Sequence, residues 1–272
     1  MIALSLLFGA IVGLSLGLTG GGGAIFAVPL LVYGLGVPAR EAVAISLAAV
    51  GATSFVGFLH RWRLGEVEIR TGLLFAAAGM IGAPLGTWLA SLIPEGLLLL
   101  AFGGLMIVVA VRMWQQATTP LSPITDCPPR HTEDGPACQR DSARALILSS
   151  RCAVLLLVIG VLTGVLTGLF GVGGGFVIVP ALVLFSGMSI HRAVGTSLMV
   201  IGLVSVSGIA SQLWSGRTLP YEITALFVIG GIGGLFLGQQ IGLRLPGPIL
   251  QKVFVVAILI VAAFVITRNL LT

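Results

Sequence analysis

Residues 13–31 read GLSLGLTGGGGAIFAVPLL, and residues 164–182 read GVLTGLFGVGGGFVIVPAL. Glycine stands at Gly13, Gly17, Gly20, Gly22 and Gly23 in the first and at Gly164, Gly168, Gly171, Gly173 and Gly174 in the second. A proline follows each, Pro29 and Pro180, and the offset is a constant 151 residues. It persists at Ser46 and Ser197, Ser54 and Ser205, and Gly57 and Gly208. After one inserted residue it becomes 152, at Phe75 and Phe227, Gly79 and Gly231, and Gly86 and Gly238. Two copies of one unit, each interrupting an apolar helix at the same place, are the pattern of a transporter with its site between the copies.

Hydrophobic residues make up 57% of the 272 and charged residues 8%. Soluble domains carry about 25% charged residues. The expected class is therefore an all-α integral membrane protein, crossing the bilayer several times. No basic region precedes the first apolar run, so residues 1–18 are expected as a retained span and not a cleaved leader. The net charge of +5 is first a topology signal. Without a basic stripe outside the central connector, nucleic acid is not an expected partner. Lipid and a small anion are, and a homodimer fits so compact a bundle.

Three domains are expected: an N-terminal transmembrane repeat over 1–114, a polar connector over 115–151 and a C-terminal repeat over 152–272. Each repeat holds about four helical segments, the first cut at its glycines. If that first segment crosses once, the repeats are parallel. If it crosses and a short second piece returns, they are inverted. Arg61, Arg63, Arg70 and the connector share a side on either count, which favours a cytoplasmic connector and leaves both counts open. Reduced Cys127 and Cys138 are then favoured over a disulfide. Their spacing with His131 fits none of the usual zinc patterns.

Lipid tolerates non-helical backbone only where protein or a watery cavity surrounds it. The breaks at Gly20, Gly21, Gly22 and Gly23 and at Gly171, Gly173, Gly174 and Gly175 are therefore expected inside the protein. Helices resuming at Ala24 and Phe176 would present N–H groups and a partial positive charge, the features that bind anions. Thr19, Ser46, Thr196 and Ser197 complete the expected substrate site, because hydroxyls donate to anionic oxygens without a buried charge. Thr196 faces only Ile45 across the repeat, so the two halves would contribute unequally.

Other chemistries fit less well. No Asp or Glu falls mid-span, against a carboxylate proton relay and against hard-cation transport. The three histidines lie at span ends or in the connector, out of reach of a buried serine nucleophile, and no His-Glu-x-x-His helix exists. Neither enzyme activity, cofactor nor metal is expected.

The duplicated glycine-rich entries, with the AVAISL (42–47) and AVGTSL (193–198) elements that follow them, resemble the TauE/SafE family of membrane permeases. The likeness extends over all but the connector. It implies transport of small sulfur-containing or carboxylated anions, such as sulfite, sulfoacetate or other organosulfonates, in the bacterial cytoplasmic (inner) membrane; the paired repeats make a secondary transporter working by alternating access the expected mechanism. An anion channel, or a carrier of carboxylates without sulfur, are the alternatives.

Overall fold

Helix α1 spans Ile2–Thr19 and ends on a left-handed glycine. A short apolar helix, α2, covers Gly23–Gly34. It begins 3-10 over Gly22–Phe26, is α-helical over Ala27–Pro29 and widens to π over Leu30–Gly34. Long helices follow: α3 (Ala39–Arg63), α4 (Ile69–Leu92), α5 (Glu95–Thr118), α6 (Ser150–Phe170), α7 (Ile190–Trp214) and α8 (Tyr221–Gly242). The structure is a computed structural model. It describes residues 2–118, 139–140, 146–147, 150–171, 174–175, 178–179, 181–182, 188, 190–214, 220–242, 255–256, 258–265 and 267–268. Gly173, Phe176, Cys127, His131 and Cys138 lie outside them. Helix α5 continues to Thr118, past the expected start of the connector, and α6 begins at Ser150. Two-residue strands at Gln139–Arg140 and Leu146–Ile147 pair antiparallel between them.

Among the described residues, five helices are long and apolar enough to cross a bilayer. The ends of α3 show why it stops where it does. Pro38 precedes its first turn and Glu41 lies within that turn, while His60, Arg61 and Arg63 lie in the last. Charges so placed complement the helix dipole. Left-handed Gly65 then ends the helix by donating its N–H to Trp62 O.

Helix pairs meet along glycine seams. Gly9, Gly13 and Gly17 of α1 abut Phe227, Gly231 and Leu235 of α8, so these two run parallel. Gly160, Gly164 and Gly168 of α6 abut Phe75, Gly79 and Ala83 of α4, which are also parallel. An added Cβ at most of these glycines would overlap the facing backbone, the close approach that small residues permit in membrane bundles. Helices α3 and α7 run antiparallel, with Leu47 against Gly208, Gly51 against Ser205 and Gly57 against Leu198. They are the most enclosed spans, and Ile45, Leu47, Leu198 and Ile201 are fully buried in the core around them.

Candidate substrate site

The two helix breaks are built alike. The last bond of α1 runs from Gly20 N–H to Leu16 O and that of α6 from Gly171 N–H to Thr167 O, both at 2.8 Å. Gly20 and Gly171 take φ of +74° and +69°, the left-handed geometry that ends a helix without the penalty a Cβ would bring. The chain then folds back on the helix it has left. Gly23 packs on Ser15 and Leu16, and Gly34 lies against the Phe8 ring. Gly174, with φ of +64°, lies against Thr163 and Thr167 of α6. The first segment of the N-terminal half is thus a crossing helix followed by a short returning one.

The breaks touch each other. A Cβ on Gly21 would lie 2.6 Å from Gly175 Cα, and one on Gly175 would lie 2.5 Å from Gly21 Cα and from Ile201 Cδ1. Backbone meets backbone there, and an ion can sit between Gly21 and Gly175 only if the two breaks part. On the N-terminal side helix resumes at Gly22, two residues before the expected Ala24. Its N-cap, Gly21, makes no side-chain cap hydrogen bond.

Each break is latched by a serine from the opposite half. Ser46 Oγ donates to Gly171 O at 2.6 Å, and Ser197 Oγ donates to Gly20 O at 2.6 Å, with Val194 O as a second acceptor at 2.8 Å. Both serines are fully buried. The sequence places these hydroxyls beside the breaks, and the structure directs them at the carbonyls that close the two helices. Thr19 Oγ1 donates to Ser15 O at 2.7 Å, within its own helix. Thr196 Oγ1 accepts the Glu68 N–H at 3.0 Å and so holds the α3–α4 loop against α7.

The family profile described as Sulfite exporter TauE/SafE matches residues 5–265. The chain belongs to the sulfite exporter TauE/SafE family. A relative from Xylella fastidiosa (strain 9a5c), named a probable membrane transporter protein, is 35% identical over 268 residues, which cover 96% of this chain and 93% of that one. Another, the probable membrane transporter protein YdhB of Bacillus subtilis (strain 168), is 27% identical over 252 residues, covering 89% and 91%. No solved structure matches. With five apolar spans among its described residues, this TauE/SafE chain is a multi-pass membrane transporter.

Sequence reasoning left one feature of this transporter aside. Arg61 and Arg63 read as topology residues near a span end. Arg61 also pairs with Glu66 at 2.8 Å, its side chain only 13% exposed. Glu66 O in turn lies where a side chain on Gly195 would stand, next to Thr196. The signal was an arginine and a glutamate five residues apart across Gly65, a spacing that lets the chain turn and the charges meet.

Proposed function

We propose that the protein is a secondary transporter for small sulfur oxyanions and organosulfonates, carrying them across the bacterial cytoplasmic membrane by alternating access at the paired breaks. The observation that carries this reading is the pair of breaks itself. Each is left-handed at its first glycine, each is held by a buried serine from the other half, and they meet at Gly21 and Gly175. Interrupted helices meeting at a central point are where transporters hold their substrates. Donor-rich backbone without a buried carboxylate suits an anion. The family is known by sulfite export, which supports the sulfur class.

The halves are read as inverted repeats. Helices α3 and α7 carry the matched serines and run antiparallel, so the units containing them point in opposite directions. The α1–α8 seam and the α4–α6 seam then become one contact seen twice. Opening one side of the break pair and then the other is the motion such symmetry permits.

The test is a binding screen on purified protein with sulfite, sulfoacetate, taurine, sulfate, acetate and chloride, read by thermal shift and calorimetry, then by proteoliposome flux. A ligand specific for the native state raises its apparent stability. Saturable preference for sulfite or a sulfonate supports the reading, and preference for acetate moves it to carboxylates. Collective rearrangements take microseconds to milliseconds. Unsaturated flux far above roughly 10³ ions per second therefore points to a channel.

A further inference from the structure

We propose that Ser54 and Ser205 are the side-chain donors that bind the transported oxyanion, at the crossing of α3 and α7. The proposal rests on the anion-transporter reading above and assigns residues to its site. Both side chains are fully buried, and neither Oγ has a hydrogen-bond partner. Several buried hydroxyls of the neighbouring helices are satisfied locally, Thr87 of α4 by Ala83 O and Thr163 and Thr167 of α6 by Ile159 O and Thr163 O, although Thr71 of α4 also lacks a partner. Burying a hydroxyl without a partner costs stability, so two at matched positions call for another reason to be there. Ser46 and Ser197 are already engaged with the break carbonyls.

Helical spacing puts Leu47, Gly51 and Ser54 on one face of α3, and Leu198, Gly202 and Ser205 on one face of α7. Those faces meet. A Cβ on Gly51 would lie 2.6 Å from Ser205 Cβ and 3.2 Å from its Oγ, and one on Gly202 would lie 3.7 Å from the Phe55 backbone, beside Ser54. The break pair adjoins this crossing, since Gly175 rests on Ile201, one turn before Ser205. Sliding α3 past α7 over Gly51 and Gly202 brings both hydroxyls to the space between the parting breaks.

The chemistry selects an anion. Glu41, Glu95 and Glu222 lie in first turns, Glu66 and Glu68 lie between α3 and α4, and the other acids lie between residues 126 and 141. Among the described residues no carboxylate competes for the hydroxyl protons or waits for a cation. A sulfite or sulfonate group, with several acceptor oxygens, takes both donors at once.

The experiment compares the parent with Ser54→Ala, Ser205→Ala and the double variant, using the six-anion panel and flux. For the anion the parent prefers, each single variant should weaken affinity about tenfold or more, since hydrogen bonds to charged groups are the strong ones. Thermal stability without ligand should hold or rise, because alanine removes a polar atom that has no partner. Unchanged affinity in the double variant overturns the assignment, as does lost stability with affinity retained. A parent that binds no anion overturns the transporter reading and this proposal with it, whereas a binding parent with equally binding variants overturns the serine assignment alone.

Discussion

At Ser46 and Ser197 a short hydrogen bond ties one half of the chain to the other. Each hydroxyl meets, at 2.6 Å, the carbonyl of the glycine that ends the opposite half's first helix. Truncating either serine leaves a buried carbonyl with one donor fewer, at a cost of about 1–3 kcal/mol. We therefore predict that Ser46→Ala and Ser197→Ala lower the unfolding temperature in detergent, and that saturating substrate does not restore the loss. Thr19→Ala is the control. It removes a bond to the helix's own Ser15 O and should stay within about 0.5 kcal/mol of the parent. What was legible at this scale was position. The constant offset picks out Ser46 and Ser197 as a matched pair beside the breaks, whereas the acceptor of each hydroxyl depends on a glycine 125 or 177 residues away, and spacing within a copy carries no information about that.

Among the elements, glycines of the same residue type do two different jobs. Gly13 and Gly164 lie against the backbone of Gly231 and Gly79, while Gly104 has nothing within 4 Å of the place its Cβ would take. Gly104→Ala should therefore be neutral or stabilising by up to about 1 kcal/mol, the helix propensity difference between the two residues. Gly13→Ala and Gly164→Ala must push two helices apart and should broaden or lose the monodisperse peak in size-exclusion chromatography. The α3–α4 loop offers a second check. Glu68 N–H has Thr196 Oγ1 as its acceptor, so Thr196→Val should speed hydrogen exchange at Glu68 more than at neighbouring amides of α4. Apolar length made the long helices readable, and the glycine runs located the breaks. The direction of the chain after each break was not readable, because an apolar stretch looks the same whether it continues across the bilayer or doubles back. Gly23 packed on Ser15 and Leu16 is a tertiary contact, and it is what reveals the return.

For the whole molecule, chain direction and charge can be set against each other. On the inverted reading proposed above, α1 crosses, α2 returns and α3, α4 and α5 cross, so the start of α1 and the central connector would lie on opposite sides of the membrane. The antiparallel α3 and α7 agree with a second half that takes the same path upside down. Following that path, every Lys and Arg except Arg40, Arg217 and Arg268 falls on the connector's side, out of fourteen in the chain. Parallel repeats would exchange Arg192, Arg244 and Lys252 for Arg217 and Arg268 on that side, ten against four, so the charge bias does not separate the two arrangements. The positive-inside tendency acts on short loops like these, and on that ground we propose a cytoplasmic connector. The prediction is direct. In intact cells, a cysteine placed at Ile2 in a chain otherwise free of cysteine should react with an impermeant maleimide. The native Cys127 and Cys138 should react only once the membrane is permeabilised. Labelling of both from one side would mean an even number of crossings per half. The breaks would then have to be rethought as kinks in single spans, although the contacts of Gly23 with α1 and of Gly174 with α6 speak for hairpins. Labelling from opposite sides makes the two glycine seams equivalent under one two-fold axis in the membrane plane. A transporter so built can expose the Gly21–Gly175 contact to either side by the same movement run in reverse.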